Sequence, residues 1–214
     1  MKRRTLDILF STGGAVLAGL LLIVGIVMTS NANFAKNYVA DQLGNQHITF
    51  KTAATLTDEE KKAPCLVQYA GQKLTTGKQA ECYANSFIGL HLQSIAGGKT
   101  YADLGTDQTN LQNQVTAAQK SNDPNLADLQ KQLTDATSAR ETVFKGETLR
   151  GLLLTSYGFS EFGTKAAQAS TVAYLAGGLM FLLALAGFAH AMRTPASAGF
   201  AVPEPTERKE TINA

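Results

Sequence analysis

The chain predicts a mainly α fold: an integral membrane protein in which two transmembrane helices flank an extracytoplasmic helical domain with an antiparallel helical hairpin. Three observations carry that reading. Residues 8–28 and 166–192 contain no Asp, Glu, Lys or Arg, and each run exceeds the ~20 residues a helix needs to cross the hydrocarbon core of a bilayer. The segment between them is polar, rich in Gln, Asn, Thr, Asp and Lys. Within it, apolar residues from Leu104 to Val143 recur at steps of three, four and seven, the seam of a packed helix pair.

Averages conceal this organisation. The 214 residues carry a formal net charge of +2, and 44% are hydrophobic. The mean hydropathy of −0.05 blends two apolar runs with a polar centre. The weak positive balance, with no basic patch interleaved with aromatics, argues against a nucleic-acid partner.

Residues 1–7 read as a cytoplasmic N-terminus, because Lys2, Arg3 and Arg4 form the basic cluster expected on that side of a membrane. Residues 8–29 follow as the first transmembrane helix. A cleaved signal peptide shares the basic start, and Ser30-Asn31-Ala32 resembles a small-residue cleavage site. The apolar run is longer than the ~7–15 residues of a signal core, which favours a retained helix. Residues 171–192 form the second crossing, closed by Arg193. Two crossings place both termini in the cytoplasm, residues 31–170 outside it, and the protein in the plasma membrane as a multi-pass chain. Small residues at four-residue spacing (Gly14/Ala18 and Ala15/Gly19, then Ala169/Ala173/Gly177 and Gly187/Ala191) predict that the two helices pack together.

Residues 30–100 read as a membrane-proximal cap. The first helix continues to Gly44, since 31–44 contains no Pro and Phe34/Tyr38 and Val39/Leu43 fall at i, i+4. His47-Ile48-Thr49-Phe50 alternates like a short extended segment. Thr57 with Glu60 three residues on is a capping-box pattern, which Pro64 ends, and Glu59-Glu60-Lys61-Lys62 reads as a solvated charge run. A helix is expected over 78–96, with Tyr83, Phe87, Leu90 and Ala84, Ile88, Ile95 as its apolar stripe, stopped by Gly97-Gly98.

The hairpin occupies residues 101–158. Leu104, Leu111, Val115 and Ala118 form one arm, and Leu126, Leu129, Leu133, Ala136, Arg140 and Val143 the other. Asp123 caps and Pro124 starts the second arm. Residues 159–170 serve as a connector, with Gly158 and Ser160 offering a break before the second membrane helix. The tail, 193–214, has the Pro and charge content of a disordered end.

Cys65 and Cys82 are the two cysteines, both outside by this topology. An even pair in an oxidising compartment favours a disulfide; two buried thiols that never meet are the alternative. Zinc sites use shorter Cys spacings and four ligands.

Catalytic chemistry finds little support. His47, His91 and His190 lack any ligand spacing, neither membrane run carries an acid or base in its core, and no phosphate-binding loop, dinucleotide, nucleophile-elbow or zinc-protease motif occurs. No catalytic, cofactor-binding or metal-ligating residue is assigned, and no cofactor is expected.

The stretch YVADQLGNQHITF, then VQYAGQKLTTGKQAECYANSFIGLHL, then GGKTYADL resembles a family of two-helix membrane proteins from actinobacteria. Val39, Asp41, Gln42, Leu43, Gln46, Ile48 and Phe50 match its start. Tyr69–Gln72, Gly77 and Ala80 match its centre, and Gly98–Tyr101 and Leu104 its last element. The resemblance implies an actinobacterial envelope protein and says nothing about activity. Some relatives are labelled as an aromatic ring-opening dioxygenase subunit, but the His and carboxylate set of a non-haem iron site is missing from this chain.

The expected function is that of a non-enzymatic, membrane-anchored accessory, assembly or scaffold protein of the envelope, with the lipid bilayer and a protein as its partners. The alternative is an extracytoplasmic small-ligand or sensing module whose pocket would be lined by Phe50, Tyr69, Tyr83 and Phe87.

Overall fold

The computed structural model describes residues 2–199; most of the tail expectation, from residue 200 on, lies outside them. The described chain is mainly helical. The long helices are α1 (Arg3–Gly44), α6 (Tyr101–Ser121) and α7 (Leu126–Arg193), and the short ones α2 (Asp58–Lys61), α3 (Pro64–Gln68), α4 (Gly77–Cys82) and α5 (Gly89–Ala96). The described residues fall into two compact units, 2–30 with 166–199, and Asn31–Lys165. Each is described separately.

The apolar unit holds two helices long and apolar enough to cross a membrane. Their contact is built on small residues at heptad spacing. Asp7, Ser11, Gly14, Ala18, Leu21 and Gly25 step by four and three along α1. Opposite them, a Cβ on Gly14 would sit 3.7 Å from Ala184 Cβ, and one on Gly177 3.3 Å from Leu21 Cβ. A Cβ on Gly187 would collide with Ser11, and one on Gly25 would lie 2.6 Å from the Tyr174 ring. The missing side chains let the backbones approach, the usual device for packing helices in lipid. Of the expected small-residue pairs, Gly14/Ala18 and Ala173/Gly177 lie in this seam, while Gly19 meets nothing within 4 Å and Ala169 is exposed. A repeat of 3.5 residues keeps one face toward the partner, and Ala15/Gly19 and Ala169 lie off that face.

The central unit has a core of large side chains. Val39, Leu43, Phe50, Leu66, Leu74, Ile88, Leu92, Leu104, Val143 and Leu153 are all buried in one cluster. The expected extended segment pairs with Lys73: an antiparallel bridge joins Thr49 to Lys73, with Phe50 N–H donating to Gln72 O (2.9 Å) and Leu74 N–H to Ile48 O (2.9 Å). Pro64 begins α3 at a first-turn position rather than only ending α2, because a prolyl ring preset for helical φ has no N–H to lose there.

The helix expected over 78–96 forms, with one change. Residues Tyr83–Ile88 make a π turn between α4 and α5. The wider turn rotates the following face, so Ile88, Leu92 and Ala96 are buried while Ile95 is 49% exposed. Gly97 and Gly98, at φ of 58° and 80°, end the helix in the left-handed region.

The hairpin follows the predicted seam. Leu104, Val115, Ala118 and Val143 are buried, and Asn122 closes α6 with a left-handed backbone. Asp123 Oδ1 accepts from Asn125 N–H at 2.8 Å, and α7 then starts at Leu126, two residues later than Pro124. The expected break at 158–160 is absent, so the connector 159–170 is helical. Glycine inside a helix costs only about 1 kcal/mol, and contacts hold this stretch. A Cβ on Gly77 would collide with Ser160, and one on Gly163 would lie 2.8 Å from Ala35 Cβ.

Candidate functional site

Two clusters in the central unit carry its polar chemistry. The first is organised by Glu60, which is 1% exposed. The capping box turns its carboxylate back toward its own helix start, so that Oε2 accepts from Thr57 N–H at 2.8 Å while Glu60 N–H donates to Thr57 Oγ1 at 3.2 Å. Lys51 Nζ closes over Oε1 at 2.8 Å and also lies 5.4 Å from the Phe87 ring centre. Burial alone would push the carboxyl up. Lys51 and the Thr57 amide outweigh it and hold Glu60 below the usual carboxylate range. The expectation that 59–62 is a wholly solvated charge run is therefore corrected: Glu59, Lys61 and Lys62 are exposed, and Glu60 is inside.

Around this carboxylate lies a chain of rings. Phe50 meets Tyr69 at 5.6 Å and Tyr83 at 5.3 Å, Tyr83 meets Phe87 at 4.7 Å, and Phe87 meets His91 at 4.5 Å. The four aromatics named for a ligand pocket thus pack on one another, and burial raises the Tyr83 phenol above its ordinary value. His91 Nδ1 lies 2.7 Å from Phe87 O, and its Nε2 lies 3.7 Å from Glu60 Oε1. Cys65 and Cys82 meet at disulfide distance, with their Cα atoms 6.0 Å apart, tying α3 to α4 beside these rings. Two further capping boxes hold the cap: Thr76 with Gln79, and Thr100 with Asp103. The T-x-x-Q and T-x-x-D spacings were legible signals for both.

The second cluster lies on the hairpin. Arg140 Nη1 donates to Gln108 Oε1 at 2.8 Å, and Gln108 Nε2 donates to Thr137 Oγ1 at 2.9 Å. The guanidinium carbon stands 4.4 Å from the Tyr101 ring centre, and that ring meets Phe144 at 5.7 Å. Gly105 leaves room for it, since a Cβ there would be 3.2 Å from Nη2. Among the described residues Arg140 makes no ion pair. Tyr101 and Phe144 are exposed, and with Gln108 and Thr137 they line a recess of about 170 Å³. The sequence marked Arg140 only as an irregularity in the seam; its partners come from α6, too far along the chain for local spacing to reveal.

The remaining histidines do not join these clusters. His47 sits in the turn after α1 at φ 53°, its N–H donating to Gly44 O at 3.1 Å. His190 pairs with Asp7 in the apolar unit, Nδ1 to Oδ2 at 3.0 Å. Among the described residues, no three His, Cys, Asp or Glu side chains converge as metal ligands would. Comparison with known proteins adds no relative: no family model matches the chain, and neither the curated proteins nor the solved structures contain a match.

Proposed function

We propose that this chain is a membrane-anchored accessory or assembly protein of the cell envelope, acting through protein contacts of its central unit and not by catalysis. In this reading both termini are cytoplasmic and residues 31–170 are extracytoplasmic. The observation that carries it is the Tyr101–Arg140–Phe144 patch. Tyr and Arg dominate the energetic centres of protein interfaces, and here a tyrosine and an arginine stand together with an exposed Phe. Gln108 already holds the guanidinium in place, so little rotamer freedom is lost on docking. Its charge, without an ion pair among the described residues, suits a partner that brings a carboxylate or a backbone carbonyl to the recess.

Crosslinking in native membranes followed by co-purification tests this. One protein is expected to co-purify repeatedly with the wild-type chain, and to be lost with Arg140→Ala and weakened with Phe144→Ala. A chain that is always recovered alone and monomeric, or a partner indifferent to both substitutions, removes the basis of the proposal.

A further inference from the structure

Arg150, on α7 in the central unit, is a loosely held cation. Its Nη1 donates to both carboxylate oxygens of Glu147 at 3.2 Å, and its Nη2 donates to Asn85 Oδ1 at 3.2 Å. Close charge-assisted bonds run to about 2.7–2.9 Å. The Nε atom is buried, and no acceptor among the described residues bonds it. A buried donor without an acceptor is rare in folded proteins and calls for an explanation.

The guanidinium borders a cleft of about 430 Å³. Asn85 and Ser86 reach this cleft from the π turn, Gly89 and Gln93 from α5, and Lys62 from the end of α2. Turns of this wider kind recur at functional sites. Glu59 is paired with Lys62 at 2.5 Å, and Glu147 does not line the cleft, so Arg150 supplies its net charge. Because Asn85 gives its Oδ1 to Arg150, its NH2 group is what remains for the cleft.

Gly89 adds an independent observation. Its dihedrals, φ −56° and ψ −44°, are helical, and any residue adopts them. A Cβ there would stand 3.5 Å from Ala84 O and 3.8 Å from Arg150 Nε, ordinary contact distances. Neither conformation nor packing requires glycine, and alanine would favour the helix. What the missing methyl leaves is open space beside the guanidinium.

We infer that this cleft binds a small ligand through an oxyanion, a carboxylate or a phosphate group, held by Arg150 and the side-chain amides of Asn85 and Gln93 over Gly89. The volume falls within the ~300–1,000 Å³ of small-molecule sites. A wall rich in donors and carrying one net positive charge favours an anionic acceptor over a neutral one. The inference uses residues of the central unit alone and rests on neither the membrane reading nor the protein partner.

The ¹⁵N-labelled full chain in micelles would be titrated with inorganic phosphate, succinate, glucose and, at matched ionic strength, sodium chloride. The probes are the Arg150 Nε–H resonance, identified by its loss in Arg150→Met, and the side-chain NH2 resonances of Asn85 and Gln93. Saturable shifts of all three with phosphate or succinate are expected, and the more effective anion identifies the group. Arg150→Met should abolish the shifts of the two amides. Gly89→Ala should keep or raise the denaturant midpoint while weakening anion binding by about tenfold or more. Equal shifts with glucose would assign the cleft to neutral hydroxylated ligands, and equal shifts with chloride would reduce it to an adventitious ion only; either result overturns the inference. Undiminished binding in Gly89→Ala, or no shift with either oxyanion, overturns it as well.

Discussion

Leu66 and Leu175 are the same side chain in opposite circumstances. In the central unit Leu66 is 1% exposed, enclosed with Phe50, Leu74 and Ile88 beneath a polar surface. In the apolar unit Leu175 is 70% exposed, and what lies inside is Ser11, Ala18, Gly25 and Ala184. One unit hides its large apolar groups and the other hides its small ones. Water rewards the first arrangement, because removing apolar area from it is favourable at roughly 25 cal/mol per Å². The second suits surroundings as apolar as leucine, where helices associate through close backbone approach instead. The inversion is what the proposed membrane setting would require, and it comes from packing and not from hydropathy alone.

The largest test of the comparison is to make one truncation in both places. Leu66→Ala is expected to destabilise the central unit by about 2–5 kcal/mol, the cost of a buried cavity. Leu175→Ala, which opens no cavity, should change stability by less than about 0.5 kcal/mol. Denaturant titration of the full chain in micelles, followed by hydrogen exchange resolved by segment, reads both. Equal costs would show that the apolar unit is buried against something else.

Next in size is the covalent tie. Cys65 and Cys82 are 17 residues apart in sequence, and closing such a loop stabilises by about 3 kcal/mol in the chain-entropy model. Cys65→Ser should lower the central unit's denaturant midpoint accordingly and leave the pairing of the two apolar helices unchanged. A loss shared by both units would show that they unfold as one.

Much of this architecture was legible because it rests on period and punctuation. The two apolar runs, the continuation of α1 to Gly44, the heptad seam of the hairpin and the Thr57/Glu60 box follow from spacing within a few turns of one helix. What escaped has distant causes. Glu60 reads as surface because Lys51 and His91, which enclose it, come from other segments. The uninterrupted run of α7 past Gly158 depends on Gly77 against Ser160 and Ala35 against Gly163, contacts no local rule can supply. Ile95 was placed inside by a regular 3.6-residue repeat, and the π turn at Tyr83–Ile88 moved it out. The Arg140 patch was missed for the same reason as Glu60: its meaning lies in what α6 brings to it.

Acid separates the units by a different lever. Glu60 titrates below its ordinary value of 4.5 in the folded chain, so the unfolded state binds more protons as pH falls. The carboxylate's contribution is complete above about 4.5 and is lost as pH drops toward the lower folded value. The central unit should therefore hold its stability down to about pH 4.5 and weaken as pH falls below it. Lys51→Met should lower its stability at neutral pH and flatten that acid limb. A limb of unchanged slope in Lys51→Met would place the titration elsewhere.

The smallest expected effect belongs to a side-chain hydrogen bond across the apolar seam, between Tyr174 and Thr29. Tyr174 packs its ring into the space left by Gly25, and its hydroxyl lies 3.1 Å from Thr29 Oγ1, which itself bonds Gly25 O at 2.9 Å. In water an exposed bond of this kind would count for almost nothing. In lipid, interhelical bonds average about 0.6 kcal/mol, because the separated helices also find partners. Tyr174→Phe keeps the ring and removes only the bond, whereas Gly25→Leu removes the space the ring occupies. Engineered disulfide formation between Ala18→Cys and Gly177→Cys, measured in membranes, should fall slightly with the first and collapse with the second. If Tyr174→Phe matched Gly25→Leu, the seam would be held by its polar bond and not by close approach, and the contrast between the two units would lose its basis.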